Sequence, residues 1–289
     1  MKKNFKRVIS LLLASLMLLP LITLTAAAEE AQEEQTTYTH EMPELKDYGF
    51  VDSNGAKIEY GIYGDLDAQP LVLLPCNGAS MHGFDGNVLP ELAQHFKVIA
   101  ISPRGCGNSD RGEGKLTFEV ESEDLVNVLD YLNIDKAHIF GFSDGGNLGF
   151  VFTVAHPERV LSLVAMSANI NMWGTNPWDE IGIIFKYVYY SIKAFFSKDP
   201  ADELDRDIEG MMVCQPNLTF RDLTTIEAPV LNIYGENDMI MRCHSKLITK
   251  YSGAEELMVI GGGHSSCFKY TDTIILPRVL EFYSSIEAI

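Results

Sequence analysis

The sequence predicts an α/β chain with a mostly parallel sheet flanked by helices, on three observations. Short apolar runs such as Leu71-Val72-Leu73-Leu74 and Val98-Ile99-Ala100-Ile101 are continuous rather than alternating, which marks strands covered on both faces. Stretches of helical length separate these runs, as the crossovers between parallel strands require. Asn54-Gly55 joins the first two extended segments and supplies the positive φ angles of a tight hairpin. A chain of 289 residues, 46% hydrophobic and 21% charged, can bury a full core, so a disordered or fibrous protein is excluded.

The chain opens on Lys2, Lys3, Lys6 and Arg7, an apolar run from Val8 to Leu24, and the small residues Thr25-Ala26-Ala27-Ala28. Residues 1–28 are expected to be a secretory signal, which makes the protein secreted or extracytoplasmic, or membrane-anchored if the segment stays uncleaved. Residues 29–46 are acidic, with too few apolar side chains to fold alone, and read as a linker. The folded domain is expected over 47–289.

Within it the hairpin joins strands near Tyr48 to Val51 and Lys57 to Tyr63. Then follow the strand at Leu71, a helix from Val88 to Phe96, the strand at Val98 and an amphipathic helix from Phe118 to Leu132. Ala137-His138-Ile139-Phe140 leads through a glycine-rich turn into a helix reaching about His156, and the sixth strand runs from Val160 to Met166. The alternation stops there and resumes at Val230 to Tyr234, followed by a helix near Ser245 to Tyr251, a strand at Leu257 to Ile260 and a last helix from about Thr273 to Tyr283. Residues 170–225 therefore form an insertion after the sixth strand. Its segment from Ile181 to Phe196 is apolar nearly all round, broken only by Lys186 and Lys193 on one stripe, and is expected to be buried or to cover something apolar, as a lid would.

A net charge of −18 repels phosphate, so a nucleic-acid partner is excluded and anionic lipid disfavoured. Five cysteines, Cys76, Cys106, Cys214, Cys243 and Cys267, show no metal-ligand spacing, so no metal is expected. Cys76 and Cys106 follow neighbouring strands and could approach each other, or could simply be small buried residues.

The chemistry gathers at strand ends. Gly141-Phe142-Ser143-Asp144-Gly145 follows a strand and opens a helix, the context in which G-x-S-x-G exposes a nucleophilic serine on a sharp turn. A serine needs a base and the base a carboxylate, in the chain order serine, acid, histidine. Asp238 lies just beyond the strand at Val230, with Glu236 and then Asp110 as alternative acids. His264 follows Gly261-Gly262-Gly263 after the next strand. Either residue alone is more simply an ordinary loop side chain; the three together at separate strand ends predict a catalytic Ser143, Asp238 and His264.

From about Asp47 onward these motifs resemble the α/β-hydrolase superfamily, near its small esterase, lactonase and cofactor-free haloperoxidase-like members. Ser102-Pro103-Arg104-Gly105-Cys106-Gly107-Asn108-Ser109 is similar to the D-x-R-G-x-G-x-S loop of that superfamily, with Ser102 in place of aspartate. Gly235-Glu236-Asn237-Asp238 and Gly262-Gly263-His264-Ser265 match its acid and histidine loops, while Pro75-Cys76 replaces the usual His-Gly before Asn77-Gly78. The resemblance implies an α/β-hydrolase fold with a helical lid after the sixth strand, an oxyanion hole from the backbone N–H groups of Asn77 and Asp144, and a structural Arg104. It implies no cofactor.

The expected activity is hydrolysis of a carboxylic ester with an apolar acyl or alcohol group, through an acyl-enzyme on Ser143. Phe142 and the insertion aromatics Trp173, Trp178 and Phe185 are candidate substrate contacts. The same triad serves a lactone, an amide or peptide, or a carbon–carbon bond, and a non-catalytic small-molecule binder is the alternative from another class. No stable membrane span is expected after cleavage, and nothing in the sequence sets an oligomeric state.

Overall fold

The computed structural model describes residues 41–287. The signal and most of the linker expected from the sequence fall at 1–40 and lie outside the described residues.

Eight strands form one sheet in the order β1-β2-β4-β3-β5-β6-β7-β8, with β1 at Leu45–Ser53, β2 at Ala56–Tyr63, β3 at Pro70–Leu74, β4 at Lys97–Ile101, β5 at Ala137–Phe142, β6 at Val160–Met166, β7 at Val230–Asn237 and β8 at Glu255–Gly263. β2 pairs antiparallel with β1 and β4, and the pairs from β4 through β8 are parallel. β1 begins at Leu45, inside the segment read as linker, because Leu45 already pairs with Tyr63. Asn54 and Gly55 take φ 50° and 78°, the left-handed pair the hairpin requires.

The central strands are buried on both faces, which is why their sequences are apolar throughout. Val72, Leu74, Ile99 and Ile139 face one core layer. Leu71, Leu73, Val98, Ala100 and Phe140 face the other. The period of two thus divides each strand between two cores.

The helices are α1 at Val88–Leu92, α2 at Phe118–Tyr131, α3 at Asp144–Ala155, α4 at Pro177–Ser197, α5 at Pro200–Cys214, α6 at Arg242–Ser252 and α7 at Leu276–Glu287. α1 stops four residues short of the expected end because Gln94 and His95 N–H reach back only three residues and tighten the turn into β4. Arg104 is structural, but it joins its loop to a helix and a strand end rather than to other loops: Nε and Nη2 donate to Asp124 on α2 at 2.6 and 2.8 Å, and Nη2 also donates to the carbonyl of Ser53 at the end of β1 at 3.1 Å.

The insertion is the helical pair α4 and α5. Each starts on a proline behind a capping side chain, Asn176 accepting from Trp178 N–H and Asp199 from Ala201 N–H, both at 3.0 Å. Lys198 in the left-handed conformation ends α4. Lys186 pairs with Glu209 and Lys193 with Asp202, so the two-lysine stripe faces α5. The expectation of a buried α4 is corrected: only Glu180 and Ala194 of its residues are buried, and Ile181, Phe185, Val188, Ile192 and Phe195 are exposed. A helix apolar on every side has no periodicity to mark its inner stripe. Here Ile183, Tyr187 and Ala194 turn inward, Tyr187 against Gly210 of α5.

Candidate active site

Ser143 sits where β5 turns into α3, at φ 57° and ψ −120°, a conformation side-chain-bearing residues rarely adopt. Hydrogen bonds hold it there: its N–H donates to the Met166 carbonyl at 2.8 Å, and its carbonyl accepts from Asn147 N–H at 2.9 Å. Glycines make the turn possible. A Cβ on Gly141 would lie 2.2 Å from the Gly145 carbonyl oxygen, and one on Gly145 would lie 1.9 Å from the Leu74 carbonyl oxygen. The start of α3 can therefore press against the end of β3.

The structure brings the three distant residues into one line. His264 Nε2 lies 2.9 Å from Ser143 Oγ, and Nδ1 lies 2.7 Å from Asp238 Oδ1. Burial works to raise the Asp238 pKa, but the His264 hydrogen bond and charge, with the Ser167 hydroxyl and Ile240 N–H, outweigh it and hold the carboxyl below its ordinary range. Asp238 is thus an acceptor, so Nδ1–H donates to it and Nε2 is left to accept the serine proton.

Neither alternative acid reaches the imidazole. Glu236 accepts from Gly261 N–H at 3.0 Å, and Asp110 accepts from Lys57 N–H at 3.0 Å. Ser167 was not anticipated: at φ 54° directly after β6, its hydroxyl donates to Asp238 Oδ2 at 2.6 Å. Its place at a strand end was the one signal available in the sequence.

Ser143 and His264 open into a cavity of about 250 Å3. The expected aromatic wall is corrected. Phe142 lines the cavity, but Trp173, Trp178 and Phe185 are 76%, 81% and 56% exposed and do not. The insertion contributes Thr175, Ile183, Lys186, Met212 and Gln215 instead, and the same cavity is lined by Asn77, Asp144, Asn147 and Asn169. The walls are therefore mixed, with amides among methionine and isoleucine. Burial pushes the Asp144 carboxyl up to about 6, while amide hydrogen bonds from Asn77 and Asn147 and the charge of His264 pull it down.

Among the described residues, no turn or loop backbone hydrogen bond uses the N–H of Asn77 or Asp144. Both flank the cavity beside Ser143. Cys76 and Cys106 are both unbonded thiols, Cys106 buried and Cys76 partly so.

This fold, with its strand-end line of serine, histidine and aspartate, defines an enzyme of the serine-hydrolase fold. The family described as alpha/beta hydrolase fold matches residues 69–204. Serine hydrolase BPHL of Homo sapiens is 22% identical over 240 residues, covering 76% of this chain and 80% of that protein. The 2-hydroxymuconate semialdehyde hydrolase of Pseudomonas sp. strain CF600 is 38% identical over 101 residues, 31% of this chain and 36% of that protein. Among solved structures, the enol-lactonase from Burkholderia xenovorans LB400 superposes with a TM-score of 0.66 at 18% identity, over 82% of this chain and 100% of that one. The chain belongs to the α/β-hydrolase superfamily.

The comparisons overturn the expected location. These three proteins are named as a serine hydrolase, a semialdehyde hydrolase and an enol-lactonase, and none is named as exported or anchored. Among the described residues no helix is long and apolar enough to cross a membrane. The secreted or membrane-anchored assignment is withdrawn.

Proposed function

We propose that the protein hydrolyses a small acyl compound through an acyl-enzyme on Ser143. The observation that carries this is the line of Ser143, His264 and Asp238, at 2.9 and 2.7 Å, opening into a cavity of about 250 Å3. His264 Nε2 takes the serine proton as Oγ attacks the carbonyl carbon, and Asp238 stabilises the resulting imidazolium. The developing oxyanion is held by the backbone N–H groups of Asn77 and Asp144, whose hydrogens are left for it by the surrounding turns. The imidazolium then protonates the leaving group, and water activated by the same imidazole releases the acyl group.

The cavity walls argue for a substrate of mixed polarity rather than the wholly apolar ester expected from the insertion aromatics. Asn77, Asn147 and Gln215 offer amide donors and acceptors, while Phe142, Met212 and Ile240 accommodate carbon. The scissile bond is that of a small ester or lactone. A carbon–carbon bond beside a carbonyl is the second reading, favoured by the 38% identity to a semialdehyde hydrolase over 101 residues.

The test is turnover by the purified protein of p-nitrophenyl esters of increasing acyl length, of simple lactones and of vinylogous 1,5-diketones, with Ser143→Ala as control and fluorophosphonate labelling in parallel. Turnover and labelling that both vanish in Ser143→Ala are expected. A wild-type chain that neither turns over nor labels is a binding protein, and the proposal fails.

A further inference from the structure

The oxyanion site proposed above depends on how closely the loop after β3 approaches the serine turn. That loop departs from the superfamily pattern at Pro75-Cys76. A turn closed by Ala79 N–H donating to the Cys76 carbonyl at 3.0 Å, with Gly78 at φ 70°, fixes the local backbone of Asn77. It does not fix where the turn sits relative to α3. The Asn77 side chain does. Nδ2 donates to Asp144 Oδ2 at 2.7 Å and to the Ile208 carbonyl at 3.1 Å, so its two hydrogens serve two acceptors on two different elements.

The Asp144 end of this tie is itself anchored. Asn147 Nδ2 donates to Asp144 Oδ1 at 3.0 Å and to Asn169 Oδ1 at 3.0 Å, and Asn169 N–H donates back to Asn147 Oδ1 at 2.8 Å. Asp144 is 9% exposed, and bonds to a buried carboxylate are stronger than neutral ones. The Ile208 end lies on α5, the insertion helix packed with α4 over the cavity.

We propose that the Asn77 side chain is a positioning group that sets the spacing of the two oxyanion donors and ties the lid to the same loop. The proposal rests on the acyl-transfer reading of this site. The tie joins the residue bearing one donor to the side chain of the residue bearing the other, so it constrains the distance between the donors directly. Such donors must lie within about 2.7–3.1 Å of the forming oxyanion, and an error of about 1 Å costs up to roughly a hundredfold in rate.

The experiment compares kcat and KM for Asn77→Ala, Asp144→Ala, their double variant and Asp144→Asn, with fluorophosphonate titration counting competent sites in each preparation. Trypsin cleavage near Lys198 reports on the lid. Asn77→Ala is expected to lower kcat roughly ten- to a hundredfold with KM within about threefold. The double variant falls no more than about twofold below Asn77→Ala, because both single changes cut one tie. Asp144→Asn keeps one acceptor oxygen, which serves Asn77 or Asn147 but not both, and recovers part of the loss seen in Asp144→Ala. Trypsin cuts Asn77→Ala faster than Asp144→Ala, since only the former releases Ile208.

A wild-type kcat in Asn77→Ala, or independent multiplication of the two single effects, overturns the proposal. Equal trypsin rates overturn its lid half. If Asn77→Ala yields no competent sites, Asp144→Ala against Asp144→Asn decides, and equal kcat in those two overturns it. An active wild type with an unaffected Asn77→Ala refutes the tie alone. A wild type that neither turns over nor labels refutes the acyl-transfer reading and the tie with it.

Discussion

Ser167→Ala removes one hydroxyl from the back of the site and leaves everything that touches substrate in place. In the wild type that hydroxyl donates to Asp238 Oδ2 at 2.6 Å, and the other protein donor to the same oxygen is Gly235 N–H at 3.3 Å. The Asp238 side chain is fully buried, so water does not replace the lost bond. Serine and alanine both carry a Cβ, so the strain at φ 54° is common to the two and cancels. A hydrogen bond to a buried charge contributes about 1.5–3 kcal/mol, and that is the expected loss of stability at pH 7.

The pH dependence distinguishes this cause from a packing defect. Asp238 is held below its ordinary value of 3.8 in the folded state. The stability it contributes is therefore fully present above that value and is lost as pH falls through the lowered folded pKa. Ser167→Ala weakens the depression, so its deficit is full at pH 7 and closes as pH falls below about 4. Urea unfolding of both proteins across that range reads it. The same loss also loosens the acceptor that orients His264, and kcat at pH 7 falls about tenfold for each 1.36 kcal/mol expressed in the transition state. A deficit that stays constant from pH 7 to below 4, or a variant equal to wild type in both stability and kcat, refutes the argument.

Asp238→Asn favours the wrong imidazole tautomer, so kcat drops by about four orders of magnitude in the ester assay, and melting at pH 7 falls as well because the amide turns its NH2 toward donors that the carboxylate accepts from. Gly145→Ala places a methyl 1.9 Å from the Leu74 carbonyl oxygen, and calorimetry should show a loss of at least about 1–3 kcal/mol or no folded protein at all. Asp144 has its folded pKa raised to about 6, so wild-type stability declines as pH rises from about 4 to 6; Asp144→Asn lacks that decline, and the difference between the two unfolding profiles should grow over this window and then level off. Trp178→Ala and Phe185→Ala alter kcat/KM by less than about twofold because those side chains lie 81% and 56% exposed, whereas Met212→Ala, on the cavity wall, shifts the preferred acyl length.

Much of this site was legible before folding because its chemistry is local in sequence. The elbow around Ser143 announces itself through glycines that the turn needs within five residues, and Asp238 and His264 each follow an apolar run that can only be a strand. Chain order then suffices to pair them. The sequence already ranked Asp238 above Glu236 and Asp110; in the structure Asp238 meets Nδ1, while Glu236 and Asp110 accept from backbone N–H groups elsewhere. Ser167 and the tie from Asn77 to Asp144 join residues 71 and 67 positions apart through single polar atoms, which leave no periodic trace.

The sequence by itself determined the strands, their burial on both faces, the position of the insertion and the three residues of the hydrogen-bonded line, because apolar runs, turn glycines and strand-end placement are constraints each segment carries alone. The tertiary structure alone decided which face of α4 turns inward and what lines the cavity. An amphipathic face is readable only when the other face is polar, and α4 has no such face over most of its length. Among its less exposed residues, Ile183, Tyr187 and Ala194 turn inward, Tyr187 against Gly210 of α5, with the half-exposed lysines of the pairs Lys186–Glu209 and Lys193–Asp202 beside them, and this leaves Trp178 and Phe185 at the surface.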